Sequence, residues 1–193
     1  MNIAIIKYNA GNIRSVDHAL KRLNVNAVIT DDPAAIMAAD KVIFPGVGEA
    51  STTMRYLVER GLDRLIAELS QPVLGICLGQ QLMCSWSEER DTQCIGIFDQ
   101  PVKRFPDTLK VPHMGWNRLE TAQGTLFDDT LVGAYVYFVH SYYVPVCEDT
   151  AAETEYMVPF SAAMQRGNFY ATQFHPEKSG SQGERILSNF LKL

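Results

Sequence analysis

Pro72-Val73-Leu74-Gly75-Ile76-Cys77-Leu78-Gly79-Gln80-Gln81-Leu82-Met83 is the stretch on which the fold turns. An apolar run of strand length follows a proline and leads through Cys77 into residues suited to a helix. Glycines stand two places either side of the cysteine, the form of a nucleophile elbow with Cys in place of Ser. So tight a strand-to-helix turn forces its central residue into strained backbone, and the glycines leave room for the chain to close. The thiol then stands at a helix N-terminus, where the dipole favours a thiolate. An apolar strand ending in a buried cysteine reads the same way, so the neighbouring sequence has to decide.

Upstream, strand and helix alternate. Ile3 to Lys7 is a short apolar run, as expected of a strand buried on both faces. Asn12 is placed to cap a helix in which Ile13, Val16, Leu20 and Leu23 recur at helical spacing. Ala27 to Thr30 reads as a second strand, stopped by Asp31-Asp32-Pro33, and a short helix runs through Ala39. Lys41 to Phe44 is a third strand, ending at Pro45-Gly46-Val47-Gly48, and a helical stretch from about Ala50 to Leu69 breaks at Gly61. Four such units with short loops predict a parallel sheet with helices on both faces. Downstream, Ile95 to Phe105, Gly115 to Glu120, Tyr135 to Val144 and Ala152 to Tyr156 read as strands. Arg166-Gly167-Asn168 reads as a hairpin turn, and Ile186, Leu187, Phe190 and Leu191 mark a C-terminal helix. The expectation is one α/β domain over residues 1–193, doubly wound, mostly parallel, with additional antiparallel strands in its C-terminal half.

Composition agrees with a folded enzyme-sized domain. The 193 residues are 47% hydrophobic and 20% charged, which excludes disorder. Seventeen basic against 22 acidic residues give a net charge of −5, and no basic cluster points to nucleic acid. Cys77, Cys84, Cys94 and Cys147 form no CxxC pair, the N-terminus reads as a strand rather than a secretory leader, and no run reaches the roughly 20 apolar residues of a membrane helix. Free thiols in a reducing cytoplasm are expected.

A cysteine nucleophile needs a base. His18 falls on the charged side of the first helix and is expected to be solvated. His113 follows Pro112 in what reads as a loop, and His140 ends an apolar run where a satisfied core histidine is the ordinary finding. His175 ends the strand Ala171-Thr172-Gln173-Phe174 and precedes Pro176-Glu177. Pro176 keeps His175 extended, and residues two apart in extended chain point the same way, so Glu177 can orient the imidazole. Nucleophile, base and orienter are then all present. Pro45-Gly46-Val47-Gly48 leaves backbone N–H groups accessible for an oxyanion hole, although a simple turn reads equally well. His113 and His140 are not at metal-ligand spacing with any Cys, Asp or Glu cluster, and no phosphate-binding GxxxxGK[ST] loop occurs.

These elements, in this order, resemble the class I (triad) glutamine amidotransferases. The markers are Tyr8-Asn9-Ala10-Gly11-Asn12 with Ser15, Pro45-Gly46-Val47-Gly48, Gly75-Ile76-Cys77-Leu78-Gly79-Gln80-Gln81, Pro112-His113-Met114-Gly115-Trp116-Asn117, Phe138-Val139-His140-Ser141-Tyr142-Tyr143 and Gln173-Phe174-His175-Pro176-Glu177-Lys178-Ser179. Pro-Gly-Val-Gly and His-Met-Gly-Trp-Asn point to one branch, glutaminases that pair with a (β/α)8-barrel cyclase in histidine biosynthesis and pass it ammonia for imidazole glycerol phosphate. Glutaminases of other pathways, a thiol hydrolase of broader specificity and an inactive interaction module on the same fold share parts of this pattern.

The resemblance implies a flavodoxin-like architecture and hydrolysis of glutamine through a Cys77 thioester, with His175 as proton shuttle and Glu177 holding the ring. It implies oxyanion donors at the Leu78 N–H and, after a flip, the Gly46–Val47 peptide. It implies substrate contacts from Gln81 and from the backbone around His140, Ser141 and Tyr142. It implies no cofactor and no metal, and a docking face at Asn12, Trp116, Tyr137 and Lys178. Trp116 reads as a polar-loop aromatic, a plausible anchor. Asn9 departs from the pattern, standing where a glycine is expected.

Overall fold

A computed structural model describes residues 1–8 and 12–193, so Asn9 lies outside the described residues. Strand β1 (Ile3–Ile6) is buried along its whole length. Its side chains divide by parity: Ile3 and Ile5 join one apolar cluster, Ala4 and Ile6 the other. Then come α1 (Ile13–Arg22), β2 (Ala27–Thr30), α2 (Pro33–Met37), β3 (Lys41–Gly46), α3 (Ala50–Glu59), α4 (Leu62–Glu68), β4 (Val73–Cys77) and α5 (Leu78–Leu82). The remainder is strand-rich: β5 (Trp86–Ser87), β6 (Thr92–Gln93), β7 (Pro101–Arg104), β8 (His113–Arg118), β9 (Thr121–Ala122), β10 (Tyr135–His140), β11 (Tyr142–Tyr143), β12 (Thr150–Tyr156), β13 (Val158–Arg166) and β14 (Phe169–Thr172), closed by α6 (Gly180–Lys192).

The main sheet has the order β2-β1-β3-β4-β14-β13-β12-β9. It is parallel from β2 to β14 and antiparallel from β14 to β9. Val16 and Leu20 of α1 and Ile186 and Phe190 of α6 cover one face; Leu57, Leu62, Ile66 and Leu82 from α3, α4 and α5 cover the other. The fold is therefore the expected doubly wound α/β sheet with antiparallel strands added late in the chain. An antiparallel ribbon of β8 and β10, and a small sheet ordered β11-β7-β5-β6, lie outside the main sheet. Among the described residues no helix is long and apolar enough to cross a membrane.

This order sets the chemistry. β4 lies between β3 and β14, with Gly46 level with Cys77 and Thr172 level with Ile76. Three parallel strands thus end side by side, where open α/β sheets form their crevice.

Three expected elements differ. Only Pro101–Arg104 of the Ile95–Phe105 run is strand. Ahead of it, the Ile95, Gly96 and Phe98 N–H groups bond the Leu82, Cys84 and Met83 carbonyls at the end of α5. The apolar residues here cover a helix end and its orphan carbonyls instead of extending a sheet. The Tyr135–Val144 run breaks at Ser141, beyond which β11 pairs with β7 in a different sheet. His113 and Trp116 are not in a loop: both belong to β8, opposite His140 and Tyr137 of β10.

Candidate active site

Cys77 has φ 55° and ψ −107°, the strained geometry an elbow requires. The glycines around it are sterically demanded. A Cβ on Gly79 would strike the Phe44 carbonyl of β3, and one on Gly46 would lie 2.7 Å from the Leu78 Cβ and 2.9 Å from the Gly79 nitrogen. The strand beside the elbow passes only because both positions lack side chains. Leu78, first residue of α5, has no intrahelical acceptor for its N–H.

His175 follows β14 and is fully buried. Its backbone N–H donates to the Tyr137 carbonyl at 2.9 Å, and its carbonyl accepts from Ser179 Oγ at 2.6 Å. Nδ1 lies 2.8 Å from Glu177 Oε1. The extended spacing expected for this pair is not how it is achieved: Pro176–Lys178 is a single 3-10 turn, and that turn swings the carboxylate back under the ring. Nε2 of His175 is buried with no hydrogen-bond partner among the described residues. Burial acts to depress the imidazole pKa, but the nearby Cys77 sulfur and then Glu177 outweigh it and push the value up to about 10. The ring is therefore held ready to carry a proton between sulfur and a leaving group.

Asn12 occupies the first position before α1, but its side chain does not cap the helix. The residue is left-handed at φ 75°, and Nδ2 instead donates to Glu177 Oε1 and lies 3.3 Å from His175 Nδ1. The Glu177 carboxylate beside His175 thus has a further neutral donor.

A cavity of about 340 Å³ opens on Cys77 and is lined by Val47, Gly48, Leu78, Gln81, Glu89, His140, Ser141 and Tyr142, among others. Gln81 Nε2 donates to the Tyr142 carbonyl and to Gln173 Oε1, both at 3.0 Å. Gln173 Nε2 in turn lies 3.7 Å from the Cys77 sulfur. His140 faces His113, and both rings stay neutral. Burial lowers His113 to about 4; burial, then the nearby His113 and His175 charges, lower His140 to about 3 against the Tyr142 carbonyl's opposing hydrogen bond. Among the described residues, no group of three or more His, Cys, Asp and Glu could hold a metal ion.

On the outer side of the β8–β10 ribbon, Trp116 is 56% exposed and meets Tyr137 edge-on, ring centroids 6.0 Å apart. Lys178 Nζ lies 5.9 Å from the same tyrosine ring. The sequence-predicted residues therefore form a thiol–imidazole–carboxylate group with its cavity and, beside it, a cluster in which the exposed Trp116 and Lys178 flank the half-buried Tyr137.

Three residues escaped the sequence reading. Tyr8 is buried and its hydroxyl donates to the Pro45 carbonyl. Burial and then the Cys77 charge raise its pKa well above the usual phenol value. Gln173, two places before His175, donates from Nε2 toward the Cys77 sulfur. Glu89 lines the cavity with its carboxyl pKa raised, chiefly by burial and then, against the Ala50 N–H bond, by Glu49. Tyr8 and Gln173 both fall inside marker stretches, but nothing near them in the sequence says what either side chain bonds.

The chain is similar to known proteins over its whole length. The family model "Glutamine amidotransferase class-I" matches residues 4–193. Full-length relatives include the imidazole glycerol phosphate synthase subunit HisH of Bacteroides fragilis strain YCH46, 65% identical over 196 residues and 100% of both chains. The protein of the same name from Yersinia pestis is 44% identical over 196 residues, again covering 100% of both chains. A solved glutamine amidotransferase superposes with TM-score 0.77 at 21% identity, over 98% of this chain and 97% of that one. PurLQS from Thermotoga maritima gives 0.72 at 16% identity, over 99% and 97%. With its elbow thiol, its buried imidazole–carboxylate pair and relatives that match from end to end, the chain belongs to the class-I glutamine amidotransferases.

Proposed function

We propose that this chain is the glutaminase subunit of an imidazole glycerol phosphate synthase, hydrolysing glutamine and handing the ammonia to a (β/α)8-barrel cyclase. The observation that carries the chemistry is the buried His175, held by Glu177 at 2.8 Å and raised to about 10 beside Cys77. The pathway rests on end-to-end relatives bearing that synthase name.

In the first half-reaction, the Cys77 sulfur attacks the side-chain amide carbon of glutamine. His175 gives its proton to the amide nitrogen, the C–N bond breaks, and ammonia leaves a γ-glutamyl thioester. Water, deprotonated by the same imidazole, then hydrolyses the thioester, releasing glutamate and restoring the thiol. The tetrahedral oxyanion of each half is served by the Leu78 N–H and, after the Gly46–Val47 peptide turns, by Val47 N–H. Gln81 and the backbone of His140, Ser141 and Tyr142 hold the substrate's amino-acid end. Glu89, on the cavity wall, is suited by charge to the α-ammonium.

The partner face comprises Asn12, Trp116, Tyr137 and Lys178. Asn12 would link that face to the triad, since its Nδ2 donates to Glu177 Oε1. The cyclase, making imidazole glycerol phosphate and aminoimidazole carboxamide ribotide, receives ammonia shielded from water. The cytoplasm is the compartment, and the assembly is a heterodimer without cofactor, nucleic acid or membrane.

Glutamate release by the purified chain, alone and with a cyclase carrying its phosphoribulosyl ligand, tests this. A rate low alone and orders of magnitude higher with the liganded partner is expected. A high rate indifferent to the partner would keep the glutaminase and remove both the pathway and the gated oxyanion peptide.

A further inference from the structure

His113 and His140 form a buried titratable pair that the triad does not use. β8 and β10 set these residues directly opposite one another, and both are buried. The direction of every hydrogen bond along this line follows from the groups at its ends. His140 Nδ1 lies 2.7 Å from the Tyr142 carbonyl oxygen. A carbonyl only accepts, so Nδ1 carries hydrogen, and in a neutral ring Nε2 is then a bare acceptor. Among the described residues the histidine paired with a carboxylate is His175, so nothing holds the other two rings as cations.

His113 Nδ1 lies 3.0 Å from His140 Nε2 and must donate to it. His113 Nε2 is left as an acceptor, and Asn117 Nδ2 stands 3.4 Å away. The Asn117 amide is oriented independently: Oδ1 accepts from the Arg118 N–H at 2.8 Å, and Nδ2 donates to the Glu155 carbonyl at 2.9 Å. All the bonds therefore run one way, from Asn117 through His113 and His140 to the Tyr142 carbonyl. His113 is clamped between Tyr156 and Phe138, with ring centroids at 4.1 and 4.9 Å.

The end of this line is functional ground. The Tyr142 carbonyl also accepts from Gln81 Nε2 at 3.0 Å. Both of its lone pairs are engaged, which fixes the turn at Ser141 and the plane of the Gln81 amide, and both residues line the cavity. We propose that His113 is a positioning residue for glutamine binding: its Nδ1–H holds His140 in the Nδ1–H tautomer, and so holds the Ser141–Tyr142 turn and Gln81 in the orientation that receives the substrate's amino-acid end. This rests on the cavity being the glutamine site. Without the donor, His140 is free to move its proton to Nε2, and the Tyr142 carbonyl loses one of its two anchors. The Cys77–His175–Glu177 chemistry is untouched.

Two measurements test it. Heteronuclear NMR of the imidazole nitrogens in the full chain, without substrate and near neutrality, should show His113 and His140 both neutral and both Nδ1–H. An Nε2–H form of His140 overturns the proposal. In the complex with the cyclase, His113→Phe keeps the aromatic clamp and deletes the donor. It should raise KM for glutamine about tenfold while kcat stays within about twofold. His113→Asn, which restores an N–H near the same place, should recover most of that loss. An unchanged KM in a folded His113→Phe, or a loss confined to kcat, overturns it. Should His113→Phe fail to fold, the wild-type tautomers decide. A wild-type chain inactive on glutamine would instead sink the glutaminase reading and leave the tautomers standing.

Discussion

The parallel strands and the β8–β10 ribbon both border the cavity, but they contribute in different ways. At the ends of β3, β4 and β14 the chemistry is dictated by backbone. Cys77 is held at φ 55°, and Gly46 and Gly79 are bare because neighbouring chain occupies the space of a side chain. The ribbon supplies no reacting atom. It acts by cross-strand register, setting His113 against His140 and Trp116 against Tyr137, and its Tyr137 carbonyl holds the His175 N–H. Reactivity is thus built from close backbone packing where the parallel strands end, and its placement from side-chain register across the ribbon. Damage to the parallel strands should abolish chemistry or folding, whereas damage to the ribbon should tune binding.

The largest effect expected is at Cys77. Cys77→Ser should lower glutamate release at least about 1000-fold, while free ammonium still supports synthesis by the complex at the wild-type rate. A Ser variant that kept its full glutaminase rate would break the claim that the parallel strands own the reaction. Next is Gly79→Ala. Its methyl would meet the backbone carbonyl of Phe44, which cannot yield without moving β3. A loss of roughly 3 kcal/mol in chemical denaturation is expected. Gly75→Ala meets the Met83 sulfur, the movable end of a flexible side chain, as well as the Gln80 nitrogen at 3.1 Å. It should cost about 1 kcal/mol. Equal losses at the two glycines would show that backbone crowding is not what sets this region.

The same contrast explains what could be read from the sequence. The elbow, the parallel sheet and the hairpin at Gly167-Asn168 are visible because glycine spacing, apolar runs and turn residues report on backbone a few places away. Asn12 shows the limit of such local reading: the helix does start there, but its side chain serves Glu177, 165 residues away, in place of the helix amides. His113 and Tyr8 show it more sharply. Each owes its place to one partner across the fold, His140 and Pro45, and no periodicity in the chain marks such a pairing. The Ile95–Gln100 run failed for a related reason: apolar residues signal burial, and they do not say whether the buried surface faces a sheet or the end of α5.

On the ribbon, Trp116→Ala probes the outer face. Trp116 is 56% exposed and its aromatic contact is with Tyr137, so little folding energy rests on it. Affinity for the cyclase should fall about tenfold or more while Tm barely moves. A large drop in Tm with unchanged affinity would reassign the residue from docking to core.

The smallest and most specific effect is the ribbon's response to acid. His113 is lowered by burial from 6.5 to about 4, so between those values the unfolded chain binds a proton that the folded chain refuses. The contribution of a neutral buried imidazole is fully present above the unfolded value and is lost as pH falls through that window. Carboxylates with lowered pKa also lose their contribution at the acid end, so total stability against pH is not diagnostic. The difference between two proteins is. Unfolding of the wild type between pH 6.5 and about 4 should take up close to one proton more than unfolding of His113→Phe, seen as a steeper slope of stability against pH. Parallel slopes would mean that His113 is already charged in the folded ribbon, and the one-way line of hydrogen bonds to Tyr142 would then have to run differently.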